Sequence, residues 1–307
     1  MTSPDADIAS LAPEPRHFSW LGRSVLAGPD PTQGSARCLA TDLGWFLATT
    51  RQRNELLDVF ERFLLFDSIG PRQLSQTDIS LLGSLDNVSI LCPVTEDMAA
   101  LAAILPPSVH LLSTPPALVY FPLMLPDFTA DLPSWNPEAP RRFLMAGRVR
   151  RDFRLLGEIQ HDLPAPVEVV TDLDKVDLRV ETNIRLNPLM GFPDLCRLAA
   201  SSQALLVVVE AGHRAGLATL ALGLALGMPV VASSVPGVEA IADRTAPDEG
   251  LVTVRPGDGA QLLSVLHRLL HDVPWARNLA RQASRLSVLL ERDAEAAARH
   301  ALEAMGI

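Results

Sequence analysis

The residues best suited to chemistry are gathered in one stretch, residues 209–241, VEAGHRAGLATLALGLALGMPVVASSVPGVEAI. An apolar run, Ala204–Val209 (ALLVVV), leads into it and reads as a buried strand. A helix is expected over Gly216–Leu226, ended by Gly227. His213, Arg214, Ala215, Gly216, Leu217 and Thr219 therefore fall at a strand-to-helix turn. Gly216 permits close backbone approach, and Thr219 offers a hydroxyl in the first turn. The N–H groups of a helix start and the positive end of its dipole favour an anion there. Arg214 adds a planar fork that matches phosphate. The chemistry these types could do is diphosphate binding. A second basic element, RRFLMAGRVRRDFR (141–154), is the densest positive run of the chain. Arg148 and Arg151 within it are phosphate-binding candidates, and a solvated basic run is the plainer reading. His213 has only Glu210 nearby to orient it, so it reads as a loop or core histidine rather than a base. Glu239 either contacts a sugar or caps a short helix over Glu239–Ala242, and the cap is preferred.

The elements that must position these residues can be read from periodicity. From residue 142 onward, strands are expected at Phe143–Ala146, Val167–Thr171, Ile184–Leu186, Ala204–Val209, Pro229–Ala232 and Leu251–Val254. Helices are expected around Phe153–His161, over Phe192–Ser201 and Asp258–His271, and from Trp275 to Met305. Such alternation predicts a doubly wound parallel sheet with ligands at the carboxyl ends of its strands. The first half is read the same way. A helix is expected over Arg51–Arg62, strands at Phe63–Phe66, Val88–Cys92 and Val109–Leu112, and a helix at Thr95–Leu105. Pro122, Pro126, Pro133, Pro137 and Pro140 exclude a helix interior or central strand between the halves. The expected division is a loosely attached tail (1–16), an N-terminal domain (17–125), a Pro-rich linker (126–141), a C-terminal domain (142–290) and a final helix (291–307).

Composition sets outer bounds. The chain has 307 residues, too many for one ordinary core. Its formal charge of −10 argues against a nucleic-acid partner. The cysteines Cys38, Cys92 and Cys196 are far apart and in no CxxC pair, which argues against a zinc ribbon or disulfide scaffold and favours a reduced, cytoplasmic setting. Cys196 reads as core. There is no HExxH and no DxD dyad, so no metal is expected. The N-terminal residues lack a basic-then-apolar leader, and no apolar run is long enough to span a membrane.

Arg214-Ala-Gly216-x-x-Thr219, Ala225-x-Gly227-x-Pro229-Val-Val-Ala-Ser and Gly237-Val-Glu239 together resemble the donor-binding half of GT-B-fold glycosyltransferases. The likeness is greatest to glycosyltransferase family 4, with its "glycosyl transferases group 1" C-terminal domain. The RAGxxT piece is also similar to the undecaprenyl-linked N-acetylglucosaminyl transferase of cell-wall synthesis. Three further segments fit in order: Ala146-Gly-Arg148 with Arg151-Asp-Phe153, Asn183–Met190 with Phe192-Pro-Asp-Leu, and Gly250–Asp258. The resemblance spans Arg142 to Leu290. It implies an α/β fold of GT-B type, with two Rossmann-like doubly wound domains facing a cleft and the N-terminal one reduced.

The same resemblance implies a metal-independent glycosyltransferase of bacterial type. It would move a sugar from a nucleotide diphosphate sugar, such as a UDP- or GDP-sugar, to a glycan, lipid or protein acceptor. No cofactor beyond that substrate is implied, and peripheral membrane contact is compatible with it. The implied diphosphate site is Arg148, Arg151, Arg214, Ala215, Gly216, Leu217 and Thr219. Thr171, Met190 and Leu222 would lie on the nucleobase and ribose side, and His213 and Glu239 on the sugar side. Asp67-Ser68 and Thr95-Glu96 are acceptor-side candidates. Family 4 members usually carry two glutamates eight residues apart where this chain has Arg214 and Leu222. Leucine accepts no hydrogen bond from a ribose. That departure and the short first domain support an alternative, a catalytically degenerate binding or scaffold subunit. An epimerase on the same fold is a third option, and the expected carboxylate pair is missing from the segments that would serve it.

Overall fold

A computed structural model describes residues 38–42, 47, 62–66, 74–85, 87–92, 95–113, 133–138, 140–147, 150–176, 183–211, 215–245 and 250–304. The tail at 1–16, the body of the expected 51–62 helix, Asp67-Ser68, Arg148, His213 and Arg214 lie outside these residues. The chain divides into two compact units, one of Met1–Asp127 with Glu291–Ile307 and one of Phe128–Leu290.

The first unit holds a four-stranded sheet of β1 (Cys38–Asp42), β2 (Arg62–Phe66), β3 (Val88–Cys92) and β4 (Val109–Ser113). Neighbours in the sheet are neighbours in sequence, and every pairing is parallel. Two helices, α1 (Gln76–Ser84) and α2 (Thr95–Ile104), connect the later strands. Leu65, Leu82, Val88, Ile90 and Leu101 form the core between them. Arg62 opens β2 rather than closing a helix. Neither β1 nor α1 was expected from the sequence. α1 starts at a capping box: Asp78 N–H donates to Ser75 Oγ (3.3 Å), and Ser75 N–H donates to Asp78 Oδ2 (2.8 Å).

The second unit holds six parallel strands: β5 (Phe143–Ala146), β6 (Val167–Thr171), β7 (Ile184–Pro188), β8 (Ala204–Val207), β9 (Val230–Ser233) and β10 (Val252–Val254). Their order is β10-β9-β8-β5-β6-β7. This is the doubly wound order in which the chain builds outward from β5 and then returns to its other side. The strands are apolar almost throughout because helices cover both faces. The helices are α3 (Phe153–Ile159), α4 (Phe192–Ala200), α5 (Leu217–Ala225), α6 (Pro236–Ala242), α7 (Gly259–His271) and α8 (Val273–Ala304), whose residues from Glu291 onward belong to the first unit. One core packs Phe143, Met145, Val167, Val169 and Leu206 against Leu155 and Leu156 of α3 and Leu262 and Leu266 of α7. Each such side chain, fully buried, stabilises the fold by about 1.5–3 kcal/mol.

Local chemistry explains the differences from the expected boundaries. β9 starts at Val230 because Pro229 has no N–H; its carbonyl still accepts from Leu205 N–H (2.9 Å). α6 starts at Pro236, three residues before the expected start, because proline suits the first turn of a helix. α3 and α7 begin where Asp152 accepts from Leu155 N–H and Asp258 from Gln261 N–H, both at 2.9 Å. Part of the Pro-rich stretch is docked on the second unit. Trp135 Nε1 donates to Ser202 O (2.9 Å), and Asn136 N–H donates to Ala200 O (3.2 Å).

Candidate functional site

The reversal of strand order lies between β5 and β8. Loops leaving the carboxyl ends of two such strands run to opposite sides, and the crevice between them is where a doubly wound sheet takes its ligand. Here the two exits are held together just beyond the strands. Residues 150–152 lie antiparallel to 208–210 through an Arg151↔Val209 bridge. Asp152 N–H donates to Val208 O, and Glu210 N–H to Arg150 O, both at 3.2 Å. Arg150 and Glu210 also approach to 3.7 Å, but both are exposed, so the pair adds at most about 1 kcal/mol.

Arg151 sits at the centre of this junction, 5% exposed. Its Nε donates to Ala146 O at 2.9 Å, and its Nη2 donates to Ala146 O at 2.7 Å and to Thr219 Oγ1 at 2.9 Å. Thr219 Oγ1 in turn donates to Ala146 O at 3.3 Å. The end of β5, the loop after it and the first turn of α5 are thus tied by one guanidinium. Burial disfavours the charged form and pulls Arg151 down to about 10. Two glycines make room for it. Gly147 has φ +139°, and a Cβ there would stand 2.1 Å from Arg151 Nη2. Gly216 has φ +95°, and a Cβ there would stand 2.3 Å from Val207 Cγ1 and 3.4 Å from Arg151 Nη1. No other residue type fits either position without strain.

Gly216 is the N-cap of α5 and has no side chain of its own to cap the helix. Ala215, Gly216, Ala218 and Thr219 all retain partial exposure. Leu217 is 3% exposed and packs against Gly237 of α6, which leaves its N–H as its polar contribution to the site. A partly exposed helix start beside a buried cation is an electropositive, donor-rich surface.

The structure therefore brings together five residues singled out in the sequence: Arg151, Ala215, Gly216, Leu217 and Thr219. Arg148, His213 and Arg214 are outside the described residues. Thr171 ends β6 and Met190 follows β7, both on the carboxyl side of the sheet. Thr171 is 1% exposed, and among the described residues its Oγ1 has no hydrogen-bond partner. Leu222 is buried within α5 at 3% exposure. Glu239 is exposed in the first turn of α6 and accepts from Ser234 Oγ at 2.6 Å. Val235, not Glu239, is the N-cap of α6, which corrects the capping role preferred from sequence. Cys196 is core, as its spacing indicated; burial raises its thiol to about 11.

Sequence reasoning did not anticipate Gly147 as the floor under Arg151, nor Ser233. Ser233 Oγ accepts from Val209 N–H at 2.9 Å and steadies the chain beyond β8. A glycine directly after an apolar strand was the available signal for Gly147. Among the described residues, no group of three His, Cys, Asp or Glu side chains could hold a metal ion. No helix among them is long and apolar enough to cross a membrane.

No protein-family model matches the sequence, and no curated protein matches it. Solved structures do match. Sucrose-phosphate synthase from Thermosynechococcus elongatus aligns with a TM-score of 0.57 at 18% identity, over 88% of this chain and 74% of that one. A glycosyltransferase from Rickettsia africae gives 0.56 at 15%, over 87% and 76%. Anabaena HepE in complex with UDP and glucose gives 0.57 at 13%, over 86% and 75%. At such identities the likeness speaks for architecture: the chain has the Rossmann-like α/β fold of the GT-B glycosyltransferases.

Proposed function

We propose that the protein is a glycosyltransferase that takes a sugar from a nucleotide diphosphate sugar, with the diphosphate at the start of α5. The observation that carries this reading is the partly exposed helix start at Gly216, a glycine N-cap placed at the strand-order reversal beside buried Arg151. The solved complexes of HepE with UDP and with UDP-glucose support a nucleotide sugar as donor.

In this reading the bond from the sugar's anomeric carbon to the diphosphate oxygen breaks as an acceptor oxygen bonds to that carbon. Negative charge develops on the departing β-phosphate. The N–H groups at the start of α5 would face that charge, and the guanidinium of Arg151 would add a fixed positive charge behind Gly216. Arg148 and Arg214 are the proposed direct phosphate ligands. Thr171, at the end of β6, and Met190, after β7, are proposed on the nucleoside side. Glu239 is proposed on the sugar side, its carboxylate steadied by Ser234, with His213 nearby in sequence to Arg214. The acceptor, a glycan, lipid or protein, falls to the first unit. No cofactor beyond the substrate is called for.

The test is thermal unfolding of the full chain with UDP, GDP and other nucleoside diphosphates. A binder stabilises the native state by about 2.7 kcal/mol at a hundredfold excess over Kd. The expected result is a clear rise in Tm with one of them, lost in Arg214→Ala. No rise with any of them would point instead to a degenerate binding or scaffold protein.

A further inference from the structure

The exposed face of α8 has no part in the site above. Residues 274–290 carry three arginines, Arg277, Arg281 and Arg285, and no acidic residue, in a chain of net charge −10. Spaced four apart, the three lie along one side of the helix. All are exposed, and so are Val273 (45%), Val288 (47%) and Leu289 (47%) on or beside the same stripe. The opposite side, with Ala276, Leu279, Ala283, Leu286 and Leu290, is buried. Arg277 is paired with Glu138 at 3.0 Å. Among the described residues no carboxylate lies within 4.0 Å of Arg281 or Arg285; Arg281 reaches only Asn278 Oδ1, at 3.4 Å. Beside the row runs an open groove of about 540 Å³, lined by Trp135, Pro274, Arg277, Arg281 and Ser284. It also includes Gly227, which precedes β9. The groove is therefore at the amino ends of the strands, away from the candidate site at their carboxyl ends.

We propose that this face of α8 docks on an anionic lipid bilayer. The arginine row would lie against the phosphates of the headgroup layer, while Val288, Leu289 and Val273 enter its outer apolar margin. The groove beside Arg277 and Arg281 would admit one headgroup. Charge complementarity selects the occupant, because Arg281 and Arg285, with no carboxylate within 4.0 Å among the described residues, leave a basic surface that is attracted to an anionic one. Exposed aliphatic side chains at the two ends of the arginine row, Val273 before it and Val288 and Leu289 after it, favour a bilayer over a purely polyanionic partner. The proposal does not depend on the identity of the reaction.

The experiment is co-sedimentation of the full chain with vesicles of phosphatidylcholine alone and of phosphatidylcholine mixed with phosphatidylglycerol, at low and high salt. The expected result is binding to the mixed vesicles only, weakened by salt. Each arginine near such a surface contributes about fivefold, so R281Q/R285Q is expected to bind roughly 25-fold more weakly. Its Tm and any nucleotide-induced shift should be unchanged, since both side chains are in solvent. V288S/L289S should weaken binding while leaving its salt dependence intact. Several results would overturn the proposal. These are no binding to the mixed vesicles, equal binding to phosphatidylcholine alone, undiminished binding by R281Q/R285Q, or an arginine-dependent dimer without vesicles. Full competition by inorganic phosphate would assign the groove to a free anion and likewise reject bilayer docking.

Discussion

The two sheets are built from similar pieces but differ in how strand order follows chain order. In the first, β1, β2, β3 and β4 are laid down side by side in sequence. In the second, the chain adds β6 and β7 on one side of β5, then returns to place β8 on the other. Short apolar strands and parallel pairing are common to both, so neither composition nor hydrophobicity separates them. Only the reversal makes two adjacent strand ends send their loops apart. The buried arginine, the positive-φ glycines flanking it and the helix start at Gly216 all occur at that place. Topology determines where a ligand can approach the sheet, and local sequence then supplies the charge and donors.

The largest effect is expected from Gly216→Val, which would test whether the reversal needs its glycine. The positive φ and the 2.3 Å approach to Val207 Cγ1 together should cost about 3–5 kcal/mol in urea unfolding and abolish any nucleotide-induced rise in Tm. Leu65→Ala, in the core of the first sheet, should cost a comparable 2–5 kcal/mol yet leave that rise in place. If both variants lost it equally, the contrast between the sheets would fail.

Arg151→Met should come next, at about 2–3 kcal/mol. It takes away the two guanidinium bonds to the Ala146 carbonyl, which keeps only the longer one from Thr219, and the donor to the Thr219 hydroxyl, while removing a desolvated charge. The urea midpoint reads this directly, and an unchanged midpoint would mean that the guanidinium ties nothing together. Thr171→Val should act in the opposite sense. It deletes a buried hydroxyl that has no partner among the described residues, so stability should rise by about 1 kcal/mol in urea unfolding, and an unchanged or lower midpoint would count against this.

A further effect concerns pH. Burial holds the Cys196 thiol protonated up to about 11, against an ordinary 9.0; its own backbone and Arg197 pull weakly the other way. The folded state therefore keeps a proton that the unfolded chain releases. The resulting stability is full below pH 9 and is lost as pH rises toward 11. Wild type should lose stability relative to Cys196→Ala over that window, and a flat difference would refute the assignment.

Much of the second unit was legible in advance. FLMA and VEVVT are β-branched or apolar runs bounded by breakers, and the structure places strands over those residues. The helix from Gly216 was readable because glycine follows a buried run and precedes a leucine-rich period. The first unit was less readable. CLATD, with its Thr and Asp, has no apolar run to mark it as β1. The Ser75–Asp78 cap of α1 was present as a pattern but was not followed by a clear apolar period. The inward turn of Arg151 was not legible, because a basic run is ordinarily solvated. Its burial depends on Gly147, on Gly216 and on Thr219, which is 68 residues away. Nor could sequence show that the Thr171 hydroxyl has no partner among the described residues, since that depends on packing around the end of β6.

The central claim is that an anionic diphosphate sits at the start of α5. Amide hydrogen exchange on the full chain, with and without a panel of nucleoside diphosphates, tests it most directly. Slowed exchange is predicted at residues 215–220 and 150–152 with at least one nucleotide, and none at β1–β4. Unchanged exchange at 215–220 with every nucleotide, or protection confined to the first sheet, would contradict it.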